Sequence, residues 1–171
     1  AMHEGWKRMT SRAVARTGRM LALLGAALAL TACVGGPIKR VSEPGIGIQQ
    51  LTVQADGRWS VDLRLQNFSS VPMRFDSLTL DLEAGGVAAG TLTHAPALTV
   101  GPESADVVTV AFTPSAEARI AAAGALADGR QLTYSVRGTI NAAAEDRKPR
   151  DYPAKRTSAL SPVPGLAGVL R

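Results

Sequence analysis

The 171-residue chain has a single cysteine, Cys33, so no disulfide framework staples it. Histidine is almost as scarce. Only His3 and His94 occur, and His94 alone lies beyond the N-terminal apolar run, which leaves serine chemistry a single candidate base and gives a metal no set of converging imidazoles. Aromatic residues make up 4% of the chain, an inventory better suited to a small, alanine-filled core than to a roomy ligand cavity. The longest apolar run, Met20 to Ala32, falls short of the roughly 20 residues that span a bilayer comfortably. Phosphate-binding and nucleophile-elbow signatures are missing, since Gly45-Ile46-Gly47 is too short to count as a glycine-rich fingerprint. Apolar residues at 46% argue against wholesale disorder.

The formal net charge of +5 is unevenly placed. Residues 1–32 hold Lys7, Arg8, Arg12, Arg16 and Arg19 against Glu4 alone, and the remainder is nearly neutral. A phosphate-binding domain needs a concentrated basic surface to gain from counterion release, so nucleic acid is not an expected partner.

The basic segment leads into MLALLGAALALTA, thirteen residues without a charge. A basic n-region followed by an h-region reads as a secretory signal. The run closes on Leu30-Thr31-Ala32-Cys33, which resembles the bacterial lipobox: small residues let an extended backbone enter the peptidase, and the thiol of Cys33 carries diacylglycerol. The resemblance implies that residues 1–32 are removed and that Cys33 heads a mature, acylated chain. Multiple acyl chains hold a protein stably, at ~0.8 kcal/mol per buried methylene. Val34 after the cysteine, in place of Asp, implies the outer rather than the inner membrane of a Gram-negative envelope. Met9 offers a start that would make residues 1–8 an upstream extension. Residues 33–45 mix glycine, proline and charge without periodicity and read as a flexible tether.

Beyond Gly45 the chain alternates with period two. Trp59, Val61, Leu63 and Leu65 share one parity, and Asp62, Arg64 and Gln66 the other. Met73 and Phe75 are odd while Leu78, Leu80 and Leu82 are even, so a bulge near Asp76 or Ser77 is required to keep both sets inward. Val108, Val110 and Phe112 form a further face, as do Leu132, Tyr134, Val136 and Ile140. Shorter strands are expected at Gln49–Gln54, Val87–Thr93, Ala97–Val100 and Ala154–Leu160, with breaks at Gly85-Gly86, Gly101-Pro102 and Pro153. Pro114–Ala127 is alanine-rich, opens on proline and exits toward Gly129, which predicts one helix. About seven strands and one helix imply a mainly β, two-sheet antiparallel sandwich over residues 46–160, with 161–171 as a Pro/Gly-containing tail.

The stretch LRLQNFSSVPMRFDSLTLDLEAGG, continuing to Phe112, together with Tyr134–Ile140, resembles the water-stress-and-hypersensitive-response (WHy) domain of group 2 late-embryogenesis-abundant proteins. The family's Asn-Pro-Asn turn keeps only its first asparagine here, Asn67, followed by Phe68 and Ser69. The resemblance implies the same sandwich and a stress-related role.

Candidate chemistry is sparse. His94 precedes Pro96 as a loop residue, Asp62, Asp81 and Glu83 fall on polar faces, and Asn67-Phe68-Ser69 spells a glycosylation acceptor by chance. Neither a catalytic residue nor a metal or cofactor is expected. The charged segment Ala144–Asp151 reads as a hairpin tip, or as a contact for lipid head groups or a partner protein. The expectation is a lipid-anchored, periplasm-facing, non-catalytic module for stress or envelope maintenance. The alternatives are an accessory lipoprotein of an export, pilus or transport complex, with an envelope protein as partner, and a carrier of apolar ligands.

Overall fold

The computed structural model describes residues 35–171; the signal segment, Leu30, Thr31, Ala32 and Cys33 lie outside the described residues. The chain divides at Ile38, and the residues described before it have no regular secondary structure. Lys39–Arg171 contains every described element and all of the hydrophobic core found among the described residues.

Nine strands and one helix occur among the described residues, in the order β1 (Gly45–Val53), β2 (Trp59–Asn67), β3 (Met73–Ala84), β4 (Val87–His94), β5 (Leu98–Val100), β6 (Ser104–Phe112), α1 (Ala116–Asp128), β7 (Leu132–Ala144), β8 (Arg150–Leu160) and β9 (Val169–Leu170). They build two antiparallel sheets. One runs β6-β2-β1-β9; the other runs β4-β3-β7-β8, with β5 paired to β3. This is the expected sandwich with its one helix.

Alternation fills the space between the sheets. Trp59, Val61, Leu63 and Leu65 of β2, Met73, Phe75, Leu78 and Leu80 of β3 and Ile140 of β7 are all buried. The parity change in β3 is absorbed by a register shift between Phe75 and Ser77, so Asp76 is the inserted residue. Trp59 packs inward with its ring centroid 6.1 Å from that of Phe112, and its indole Nε1 is buried without a hydrogen-bond partner among the described residues.

Several boundaries differ from the sequence reading, and four of the differences have a clear physical reason. β1 begins at Gly45 because Ile46 and Ile48 are buried, and a second bulge between Ile48 and Gln50 then moves the inward set to Leu51. The phenol of Tyr134, across the sandwich, accepts the Ile48 N–H at 3.0 Å, so the irregular strand leaves no orphan donor there. β6 extends back to Ser104, because its polar start still pairs with the end of β2 as far as Asn67. Pro153 does not break its strand but pairs with Thr139, since β8 is an edge strand with one side of its ladder open. The residues after 160 are not a free tail. Val169 and Leu170 pair with Thr52 and Leu51, and Leu170 is fully buried.

The helix starts later than its composition suggests. Ser115 is the N-cap, its hydroxyl accepting the Ala118 N–H at 3.1 Å and donating to the Ala88 carbonyl at 2.7 Å. Gly129, in the left-handed conformation, closes the other end. Small side chains let α1 sit close to the sheet, with Ala118, Ala122 and Ala125 buried. Ser115→Ala removes the cap and the tie to β4 together and lowers stability by about 1–2 kcal/mol, read as a lower urea midpoint with unchanged slope.

Candidate functional site

One end of the sandwich gathers the β2–β3 turn, the β5–β6 turn, the β7–β8 hairpin and the incoming strap Lys39–Ser42. Asn67 is its centre. In β2 it has the parity of Leu63 and Leu65, so a polar side chain is driven inward and is 1% exposed. Its amide nitrogen donates to the carbonyls of Val71 at 2.8 Å, Gly101 at 2.9 Å and Val100 at 3.1 Å, while its Oδ1 accepts the Ser69 N–H at 2.9 Å. One side chain thus ties both turns together. A glycosyl group has no access to this amide.

Ser69 extends the knot to the strap. Its fully buried hydroxyl accepts the Ser42 N–H at 2.9 Å and donates to the Ser42 carbonyl at 3.2 Å, so both of its roles are taken by backbone and none is left for a nucleophile. The Arg40 N–H donates to the Ser70 hydroxyl at 2.8 Å, and the Arg40 guanidinium meets Glu103 at 2.8 Å. Residues 39–42 are therefore bound to the domain, whereas the sequence reading made them part of a flexible tether. Phe68, at the turn's tip, is 47% exposed.

Lys39 carries the strap to the hairpin, reaching Asp146 at 2.9 Å and Glu145 at 3.6 Å. The hydrogen bond to Asp146, then the charges of Asp146 and Glu145, raise the Lys39 pKa above its ordinary value. The same bond, then the Lys39 charge, lowers the Asp146 carboxyl below its own. The Lys39 contribution is complete below the ordinary lysine pKa and fades as pH rises through the raised value. The Asp146 contribution is complete above the ordinary carboxylate pKa and fades as pH falls through the lowered one. Both partners therefore stay charged across the neutral range, where the pair adds to the backbone bonds that seat the strap.

The other residues singled out in the sequence stay apart from this end's network. His94 is the last residue of β4, opposite Leu78, rather than a loop residue. Asp62 accepts from Thr109, Asp81 from Thr91 and Glu83 from Ser135, each a cross-strand neighbour. Asp76 pairs with Arg74 at 2.7 Å. No group of three or more His, Cys, Asp or Glu converges among the described residues. The sequence reading missed the strap's docking and the role of Ser69. The inward parity of Asn67 was the available signal for a buried polar knot.

The family model for late embryogenesis abundant protein matches residues 62–157, from the middle of β2 to within β8. The chain belongs to this family. No curated protein matches it. Among solved structures, a protein from Archaeoglobus fulgidus is 16% identical, covering 72% of this chain and 98% of its own, with a TM-score of 0.40. A protein from Arabidopsis thaliana is 10% identical over 75% of this chain and 82% of its own, TM-score 0.43. A solution structure described as that of a late embryogenesis abundant (LEA) protein is 12% identical over 92% of this chain and 90% of its own, TM-score 0.41. Such scores mark partial superposition, so family membership rests on the matched residues 62–157. Within them the LEA match includes the Asn67 turn but not the strap that docks on it.

Proposed function

We propose that this LEA protein is a lipid-anchored envelope protein of the WHy type, facing the periplasm from the outer membrane, in which a non-catalytic sandwich serves as a binding module for stress or envelope maintenance. The observation that carries the anchor is Leu30-Thr31-Ala32-Cys33 at the end of a thirteen-residue uncharged run behind Arg12, Arg16 and Arg19. Family membership supports the stress-related module. The buried hydroxyl of Ser69, bonded on both sides to the Ser42 backbone, gives that serine a structural role at this end of the sandwich.

Growth with labelled fatty acid tests the anchor. The wild-type chain takes up label and fractionates with membranes, and Cys33→Ala takes up none. Equal labelling of the two would refute the proposal.

A further inference from the structure

The hairpin separates its charges by face and by partner. Lys39 engages Glu145 and Asp146, and Arg40 engages Glu103. Asp151 accepts from Asn141 at 2.7 Å, and strand alternation puts it on the opposite side of β8 from Arg150 and Tyr152. Three cations are left over. Arg147 and Lys148 have no side-chain partner among the described residues, and the Arg150 guanidinium lies 4.4 Å above the Tyr152 ring, which fixes its direction without neutralising it. All three line one pocket of about 390 Å³ with Val41 and Tyr152, and no carboxylate is among its described lining residues. That volume suits a small ligand headgroup.

Position gives the charge its meaning. Val41 belongs to the strap, and Cys33 is six residues upstream of Lys39, a reach of at most about 22 Å for extended chain. If Cys33 is acylated, Lys39 is held within that reach of the bilayer and the pocket residue Val41 follows two residues later, with the half-exposed Phe68 on the same end. A flexible leader would let the domain tumble; the docked strap restricts which end leads.

We propose that the pocket formed by Val41, Arg147, Lys148, Arg150 and Tyr152 seats the phosphate of an anionic phospholipid headgroup, so that the anchored domain docks hairpin-first on its own membrane. The choice of end rests on the lipid-anchor reading. A guanidinium and an ammonium on one rim suit a phosphate diester, the arginine by paired N–H donors and the lysine as a point charge. Two other described basic groups have a different setting. Arg137 and Lys155 stand opposite each other on the outer face of the sheet, in the same row as Asp81.

The test uses residues 33–171 with Cys33→Ser, which keeps the folded unit and removes the anchor, mixed with vesicles of phosphatidylcholine alone or with added phosphatidylglycerol. The chain is expected to float with the anionic vesicles only. Each basic side chain near such a surface is worth roughly a fivefold gain in partitioning, so Arg147→Gln/Lys148→Gln/Arg150→Gln loses about a hundredfold and Lys148→Gln alone about fivefold. The charge-matched control Arg58→Gln/Arg137→Gln/Lys155→Gln keeps its binding. Flotation of the pocket variant at the wild-type level, equal loss in the control, binding to neutral vesicles, or no flotation of the parent would overturn the proposal. Displacement by inorganic phosphate beyond that by chloride at equal ionic strength would also overturn it, by making this a small-anion site. Because the Cys33→Ser chain has no thiol to carry lipid, these outcomes are independent of whether native Cys33 is acylated.

Discussion

Gly138→Ala lowers the stability of the sandwich by about 3–5 kcal/mol, a large share of the roughly 5–15 kcal/mol that holds a domain of this size. Gly138 lies in β7, between Leu80 of β3 and Ala154 of β8. At its φ of 158° an added Cβ would overlap the Thr79 carbonyl oxygen and stand 3.0 Å from the Leu80 Cα. Both neighbours are backbone in a paired strand, so neither can turn aside as a side-chain tip would. Relief requires β3 and β7 to separate locally, at a cost in ladder hydrogen bonds. Gly101→Ala is the control: its φ is ordinary and an added Cβ there meets nothing within 4 Å, so it changes stability by less than about 1 kcal/mol. Urea unfolding of the two variants decides the matter. A Gly138→Ala midpoint equal to that of wild type would mean that the close approach of the strands is not real.

Asn67→Ala costs about 3–4 kcal/mol for a different reason. Nothing clashes, but the carbonyls of Val71, Val100 and Gly101 and the Ser69 N–H lose their partner in a nearly sealed site. A buried group left unpaired costs about 1–3 kcal/mol, and the total falls short of a sum because water enters the space vacated. Asn67→Asp does at least as much damage at neutral pH, since a carboxylate has no hydrogen to donate and would face three carbonyl oxygens. Hydrogen exchange locates the effect. Amides of the strap and of the 101–103 turn lose protection first, because Ser69 and Glu103 are joined through the Ser69 carbonyl at 3.0 Å. Loss spread evenly over both sheets would show that Asn67 is ordinary core.

These two residues also show what the sequence makes legible. Period-two alternation reports burial, and so it revealed the sandwich, the inward Trp59 and the bulge at Asp76, where apolar side chains change parity. It failed wherever pairing is made by backbone alone. The start of β6 and the docked strap carry little apolar alternation, because their bonds go to main-chain groups and hydroxyls, and β9, though apolar, is too short at two residues to show a period. Pro153 misled because a proline is tolerated on an edge strand, and edge position is a property of the assembled sheet. Asn67 was visible as a family residue, yet its three carbonyl partners come from segments up to 34 residues away, which local spacing does not reveal. The charged hairpin was evident from composition. Its segregation into paired acids and leftover cations was not, since that depends on Lys39, 107 residues distant from Asp146.

The account stands on a fatty modification at the head of a folded LEA module, and intact-mass measurement of the chain extracted from membranes reaches that point most directly. The predicted mass is that of residues 33–171 plus a diacylglyceryl thioether on Cys33, with or without a further acyl group on its amine. A chain that retains residues 20–32 and a free Cys33 thiol would contradict it.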